Sequence, residues 1–405
     1  MRWFLIALMI WSVVLFPMES QTPNSCYNCH KAQSGSLGRV AEDWEKSIHK
    51  EGDVFCSDCH GGNPMLLSLE AHSAKNFIGV PSKSDIPELC GGCHSNEKKM
   101  RQYGLDTQSL SQYRESVHGI RLLEFGDEDV AQCASCHNAH EVKSSKDPQS
   151  STYKTNVPKT CAKCHSDSLL MERYNLPSDQ HSKFKNSVHG KALLEMKDTR
   201  APNCADCHGV HGASPPVGSE IKNVCGQCHS ATRKNFEEGA HYKALKEKSS
   251  PDCSNCHEHH GMQAPTLAMF EGSDEGHCGE CHSKDSIAYK EGLRIKKTIE
   301  EAEDLVSEAK KYIKEAESEG IEVSDQLVRL DETKTDLVLV EVTQHSVNFE
   351  KVQEHTKKIE ERASSVISEV EKLVQQKKAR MKVLYVTAFL IFVLVLLMAL
   401  KRKSL

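Results

Sequence analysis

The 405-residue chain reads as mainly α-helical: a loop-rich N-terminal region, then a long helical stalk and one C-terminal transmembrane helix. Three observations predict this. All 18 cysteines lie in Cys-x-x-Cys-His motifs between residues 26 and 282, spaced by short polar segments. Residues 286–381 are proline-free, highly charged and helically periodic. Residues 383–400 carry no charge at all.

The nine cysteine pairs are Cys26 and Cys29, Cys56 and Cys59, Cys90 and Cys93, Cys133 and Cys136, Cys161 and Cys164, Cys204 and Cys207, Cys225 and Cys228, Cys253 and Cys256, and Cys278 and Cys281. Each is followed at once by a histidine: His30, His60, His94, His137, His165, His208, His229, His257 and His282. Two thiols that form thioethers with the vinyl groups of one porphyrin, next to an imidazole that takes its iron, are the requirements of covalent c-type haem attachment. Disulfides would need no histidine after each pair, and zinc ribbons leave some pairs without one. The pattern predicts nine c-type haems. With 38% hydrophobic and 6% aromatic residues, the polypeptide is poor in core-forming side chains, so the porphyrin faces are expected to supply the core of a haem-stacked domain. No basic patch interleaved with aromatic residues points to nucleic acid.

Residues 1–20 have one basic residue followed by an apolar run, the layout of a Sec signal sequence. Cleavage is expected near Ser20, with an uncleaved N-terminal anchor as the alternative. The uncharged stretch 383–400 would span roughly 27 Å as a helix, enough for a bilayer core. Lys377, Lys378, Arg380 and Lys382 precede it and Lys401, Arg402 and Lys403 follow, so flanking charge leaves its orientation open. The haems decide it: c-type haems are attached outside the cytoplasm, which leaves residues 401–405 as a cytoplasmic tail. The expected organisation is a signal at 1–20, a nine-haem domain at 21–284, a helical hairpin or stalk at 285–382 and a membrane span at 383–400.

The haem region repeats. Three units share the order His, C-x-x-C-H-x-x-H, C-x-x-C-H, starting at His118, His189 and His241, with trailing histidines His140, His211 and His260. A degenerate unit starts at His49, and Asn63 stands where the trailing histidine would be. A six-coordinate haem needs a second axial ligand, and imidazole is a natural one. The leading set (His49, His118, His189, His241) and the trailing set recur in register, which makes them distal-ligand candidates. His72, in the long gap after the second motif, is a further candidate. His181, His259 and His277 are weaker, lying close to better-placed histidines.

In the tail, Ile295, Ile299, Ala302, Val306, Ala309, Ile313 and Ala316 fall at helical spacing, and Gly320 breaks the pattern. A second seam runs through Val338, Val342, His345, Phe349, Val352, Thr356, Ile359, Ala363, Val366, Val370 and Leu373. Two long helices are expected, the second running on into the membrane span. They would pack as an antiparallel pair or against the haems, with a dimerising coiled coil as the alternative and thus a homo-oligomer through the stalk. His345 takes a seam position, either as the distal ligand of a haem or as a histidine capping a carbonyl; His355 does not.

The C-x-x-C-H-x-x-H and S-x-H-G elements over residues 26–282 resemble the multihaem cytochrome c family with doubled CXXCH motifs. The helices after the last motif resemble the C-terminal region of the pentahaem nitrite reductase and octahaem hydroxylamine oxidoreductase superfamily. The resemblance implies closely stacked haems through which electrons hop, outside the cytoplasmic membrane, between quinol-linked membrane partners and periplasmic redox proteins. In the catalytic branch a lysine commonly replaces one motif histidine and leaves an open haem; here every motif ends in histidine.

Two functions follow. The first is a membrane-anchored haem wire between a quinol-linked partner and other redox proteins, with no catalytic residue. The alternative is a reductase or oxidoreductase acting on nitrite, hydroxylamine or a sulfur oxyanion at one open haem, with the degenerate unit around Asn63 and His72 as the place to look.

Overall fold

The computed structural model describes residues 24–216, 220–244, 251–272 and 277–403; the expected signal segment lies outside them. No strand occurs among the described residues. The chain forms two compact units. The first runs up to His181 and includes Leu193–Pro215; the second comprises Ser182–Ala192 and the residues from Pro216 onward. The last three motifs thus share a unit with the helical tail.

The haem-binding region is built from one- to three-turn helices. In four motifs, Cys56–His60, Cys133–His137, Cys204–His208 and Cys253–His257, the motif is itself a five-residue helix. Residues i, i+3 and i+4 then share a face, so both cysteines and the histidine can address one porphyrin. The residue before the second cysteine helps to form the turn. Asp58, Ser135, Asp206 and Asn255 each accept the backbone N–H of the residue preceding the motif, at 2.7, 3.1, 2.7 and 2.8 Å. This satisfies an otherwise orphaned donor at the helix start. Each of these helices ends on a residue with positive φ: Gly61 (68°), Asn138 (63°), Gly209 (89°) and Glu258 (57°). Two others, Ile86–His94 and Val157–His165, begin one turn before their motif with a proline in the first helical turn, where its missing N–H costs no hydrogen bond.

The S-x-H-G element has an equally local cause. Ser47, Ser116 and Ser187 are buried and cap the short helix that carries the leading histidine, accepting from Lys50, Gly119 and Gly190 N–H at 3.2, 2.9 and 3.0 Å. Each hydroxyl also donates to a carbonyl three residues back, on Trp44, Tyr113 and Phe184. The glycine permits this fold-back: a Cβ on Gly119 or Gly190 would lie 1.8 Å from the oxygen of Tyr113 or Phe184. Finally, the N–H groups of Ile48, Val117 and Val188 donate to Val142, Ala213 and Met262 carbonyls. Each acceptor stands two residues after a trailing histidine, so the helices of His49, His118 and His189 are each pinned to the following repeat.

The tail contains helices α1 (Ile287–Ser318), α2 (Ser324–Asp331), α3 (Thr333–Thr343) and α4 (Phe349–Lys403). Ser286 caps α1 by accepting from Tyr289 N–H, and Gly320, at φ 71°, turns the chain back. All seven expected α1 seam residues are buried. The rest departs from the expected pair of long helices. Residues 324–343 run back as α2 and α3, and α4 then runs out again, so α1 and α4 are parallel. Arg294 stacks on Phe349, Thr298 meets Thr356 and Tyr312 meets Glu371, all advancing together. Asp336 pairs with Arg362 and Arg329 with Glu369, in the antiparallel order. The seam expected through Val338 and Val342 breaks for this reason. Val338 is 55% exposed while Val340 is buried, and a 3-10 turn over Gln344–Ser346 with Val347 at φ 47° separates α3 from α4. The apolar residues of the two seams are consumed within one chain, as Val352, Thr356, Ile359, Ala363, Val366 and Val370 close on those of α1.

Beyond Val370 the burial ends. From Val383 to Leu400 the apolar side chains of α4, except Val393, are exposed, over a window of mean hydropathy 3.0. α4 is the one helix among the described residues that is long and apolar enough to cross a membrane.

Candidate haem-ligand array

The imidazoles meet two by two. Ring centres lie 6.2 Å apart for His30 and His72, 6.2 Å for His49 and His94, and 6.1 Å for His60 and His140. The same spacing recurs for His118 and His165 (6.1 Å), His137 and His211 (6.2 Å), and His189 and His229 (6.1 Å). His241 and His282 (6.1 Å) and His257 and His345 (6.0 Å) complete eight pairs. An iron–nitrogen bond of about 2.0 Å, with about 1.1 Å from nitrogen to ring centre, sets two axial imidazoles on one iron about 6.2 Å apart. The eight pairs are too far apart for direct hydrogen bonding, and at this spacing each would fit one haem iron between its two rings. Each pair joins one motif histidine to one histidine outside the motifs.

The pairing obeys a rule. A leading histidine faces the second motif of its own repeat: His49 with His94, His118 with His165, His189 with His229, His241 with His282. A trailing histidine faces the first motif of the preceding repeat, as His140 does with His60 and His211 with His137. Asn63 then has a plain explanation. Its place in the register would serve His30, which faces His72 instead. Asn63 accepts from Met65 N–H at 3.0 Å, and its own N–H donates to Ala71, closing the loop that carries His72. Phe77 packs edge-on against the His72 ring, 4.7 Å away.

Backbone carbonyls fix several ring orientations. Nδ1 of His60 lies 2.6 Å from Gly79 O, that of His208 3.1 Å from Ser214 O and that of His345 3.3 Å from Val342 O. A proton held on Nδ1 makes Nε2 the lone-pair donor toward a metal. Burial pushes His118, His137 and His345 below the ordinary imidazole pKa, and for the first two the partner histidine adds to the effect. The neutral ring so favoured is the form that ligates iron. The weaker candidates and His355, outside the expected seam, are placed elsewhere; His181 lies in the helix Gln180–Asn186. His259 stacks edge-on against His260, His277 lies 3.5 Å from Glu280, and His355 sits beside the α4 seam.

The cysteines follow chain order. Cys90 lies beside Cys133, Cys161 beside Cys204 and Cys225 beside Cys253. Between these close pairs, Cys56 lies within electrostatic reach of Cys26, Cys59 of Cys93, Cys136 of Cys161, and Cys256 of Cys278. Within each unit every motif abuts the next, from the first to the sixth and from the seventh to the ninth. Among the described residues no cysteine forms a disulfide, and no three metal-ligating side chains converge as a zinc site requires.

The comparisons with known proteins agree. The doubled CXXCH motif family model matches residues 47–99 and 128–169. The multiheme cytochrome MtrA of Shewanella baltica (strain OS185) is 24% identical over 230 residues, 53% of this chain and 58% of MtrA. The chain thus spans little more than half of that relative. The nine-heme cytochrome c of Desulfovibrio desulfuricans is 23% identical over 256 residues, 54% of this chain and 72% of that protein. The chain is a multihaem c-type cytochrome. No solved structure matches this cytochrome significantly.

Covalent c-type haem is the cofactor of the cytochrome, and the protein's part in its chemistry is to set axial ligation, spacing and exposure of the irons. Sequence reasoning found the cysteines and the histidines outside the motifs but not the groups that hold them in place. The carbonyls of Gly79 and Val342 carry no side-chain signal. The capping residues Asp58, Ser135, Asp206 and Asn255 could have been found, since all four occupy the same motif position and are all good hydrogen-bond acceptors.

Proposed function

We propose that this cytochrome is a nine-haem electron wire in which every iron has two imidazole ligands. The observation that carries the reading is the set of eight histidine pairs at 6.0 to 6.2 Å. By sequence register alone, the proposal gives His208 the role of a motif ligand and His260 that of a distal ligand. Within each unit the motifs that abut in chain order supply a linear path, and six-coordinate irons exchange electrons with little change of ligation. The α4 segment 383–400 anchors the protein in the cytoplasmic membrane, with the haems on the outer face, the C-terminus in the cytoplasm and a quinol-linked redox system as one partner. The reductase reading needs an iron without a distal histidine. Its expected locus is filled, as His72 faces His30 and His140 faces His60.

The test is low-temperature EPR of the oxidised, detergent-solubilised holoprotein with haem quantified as pyridine haemochrome. Nine low-spin haems per chain, unmoved by nitrite or hydroxylamine, is the expected result. A high-spin signal that shifts with either ligand would transfer the assignment to an enzyme.

A further inference from the structure

His345 ties the start of α4 to the haem end of the second unit, facing His257 at 6.0 Å. Two neighbouring contacts reinforce the tie. Lys351 pairs with Glu238 at 2.6 Å, and the Ser346 carbonyl packs so closely on Gly239 that a Cβ there would lie 2.8 Å from it. Gly239 stands two residues before His241, so the tail turn is fixed against the segments that ligate the last two haems. At the same end of the bundle, a Cβ on Gly292 near the start of α1 would lie 3.5 Å from the Phe270 ring and 3.7 Å from the Cys278 sulfur, so that helix packs closely on the ninth motif.

From this fixed base α4 runs as one continuous helix. Phe349 to Val383, at 1.5 Å per residue, is about 51 Å. α1 runs parallel to it, so the bundle leads away from the haem motifs and toward the apolar segment. The last buried seam residue is Val370, and Lys377, Lys378, Arg380 and Lys382 occupy the exposed turns that follow. No haem motif lies beyond His282.

We propose that the helical bundle is a spacer holding the last three haem motifs, those of its own unit, about 50 Å from the bilayer, so that they exchange electrons with protein redox centres and never directly with quinol in the lipid. Tunnelling falls exponentially with distance, and a helical bundle without a redox centre does not conduct over that span. The partner must therefore be a protein, with a haem or iron–sulfur centre, that projects from the membrane to the height of the array. The inference rests on the anchored, haem-loaded reading above.

The experiment uses full-length holoprotein in phosphatidylcholine–phosphatidylglycerol vesicles carrying a menaquinol analogue. The haems are expected to stay oxidised while dithionite reduces them fully; rapid reduction by the vesicle quinol overturns the proposal. A second measurement depends on neither anchoring nor quinol. With all 18 cysteines consumed in thioethers, Lys382→Cys supplies a unique thiol for a nitroxide, and pulsed dipolar EPR in detergent reads its distance to the nearest low-spin haem. About 50 Å is expected; a label strongly relaxed by a nearby haem rejects the spacer. Vesicle flotation reports separately on anchoring, so its failure would remove the membrane reading without being mistaken for a short stalk.

Discussion

His345 faces His257 with ring centres 6.0 Å apart and planes 29° from parallel, although one belongs to the helical tail and the other to the eighth haem motif. In the proposed wire this pair makes the tail part of a haem site. His345→Ala should convert one haem of nine from low-spin to high-spin and leave the other eight unchanged. Magnetic circular dichroism of the oxidised protein reads that fraction directly. The same variant loosens the base of α4, so trypsin should cut faster after Lys351, which follows the 344–348 turn. An unchanged low-spin count would show that another group serves the eighth iron.

The glycine of the S-x-H-G element is predicted to matter as much as its histidine. In Gly119→Ala and Gly190→Ala the new methyl meets the Tyr113 or Phe184 oxygen at 1.8 Å. Relief requires the helix carrying His118 or His189 to move, at a cost of about 1–3 kcal/mol. Thermal unfolding followed at the Soret band should fall by several degrees, with a fraction of one haem becoming high-spin. Ala at Gly35, which has positive φ but nothing within 4 Å of a built Cβ, is the contrast: strained backbone, unaltered haem spectrum.

How far the array was legible follows from the kind of signal each part leaves. The motifs and the recurring histidines are local and periodic, and α1 is written in its seam, its Ser286 cap and Gly320. The pairing is not local. His140 passes over its own motif to face His60, a choice made by the backbone bond from Ile48 to Val142 and its counterparts. The break between α3 and α4 is hidden for a related reason. Val347 is β-branched and takes φ 47° with no glycine or proline to announce it. The contacts of Ser346 with Gly239 and of His345 with His257 impose the turn, so a continuous helical periodicity was the natural reading of a discontinuous element.

Glu258 is the one charged residue among the four that end a motif helix with positive φ, at 57°, where Gly61, Asn138 and Gly209 stand in the other repeats. Its ψ of −175° puts it in a region suited to glycine. Glu258→Gly should therefore stabilise the second unit by about 1 kcal/mol, visible as a higher unfolding midpoint with no change in the haem spectrum. A lower midpoint would mean that the Glu258 carboxylate contributes more than the backbone strain removes.

His72 decides between wire and enzyme most directly. It is reached by a loop held at both ends, by Asn63 N–H on Ala71 O and by Ile78 N–H on His60 O, so removing its side chain should leave the loop in place. His72→Ala should open one coordination position on the first haem, giving one high-spin equivalent that binds cyanide or nitrite, while the wild-type protein binds neither. His72→Met would keep six-coordination and raise the potential of that haem, since thioether ligation favours the ferrous state. Spectroelectrochemical titration would show one of nine haems displaced upward. If wild type already binds nitrite and His72→Ala changes nothing, His72 is not the ligand, and the first haem becomes the seat of catalysis.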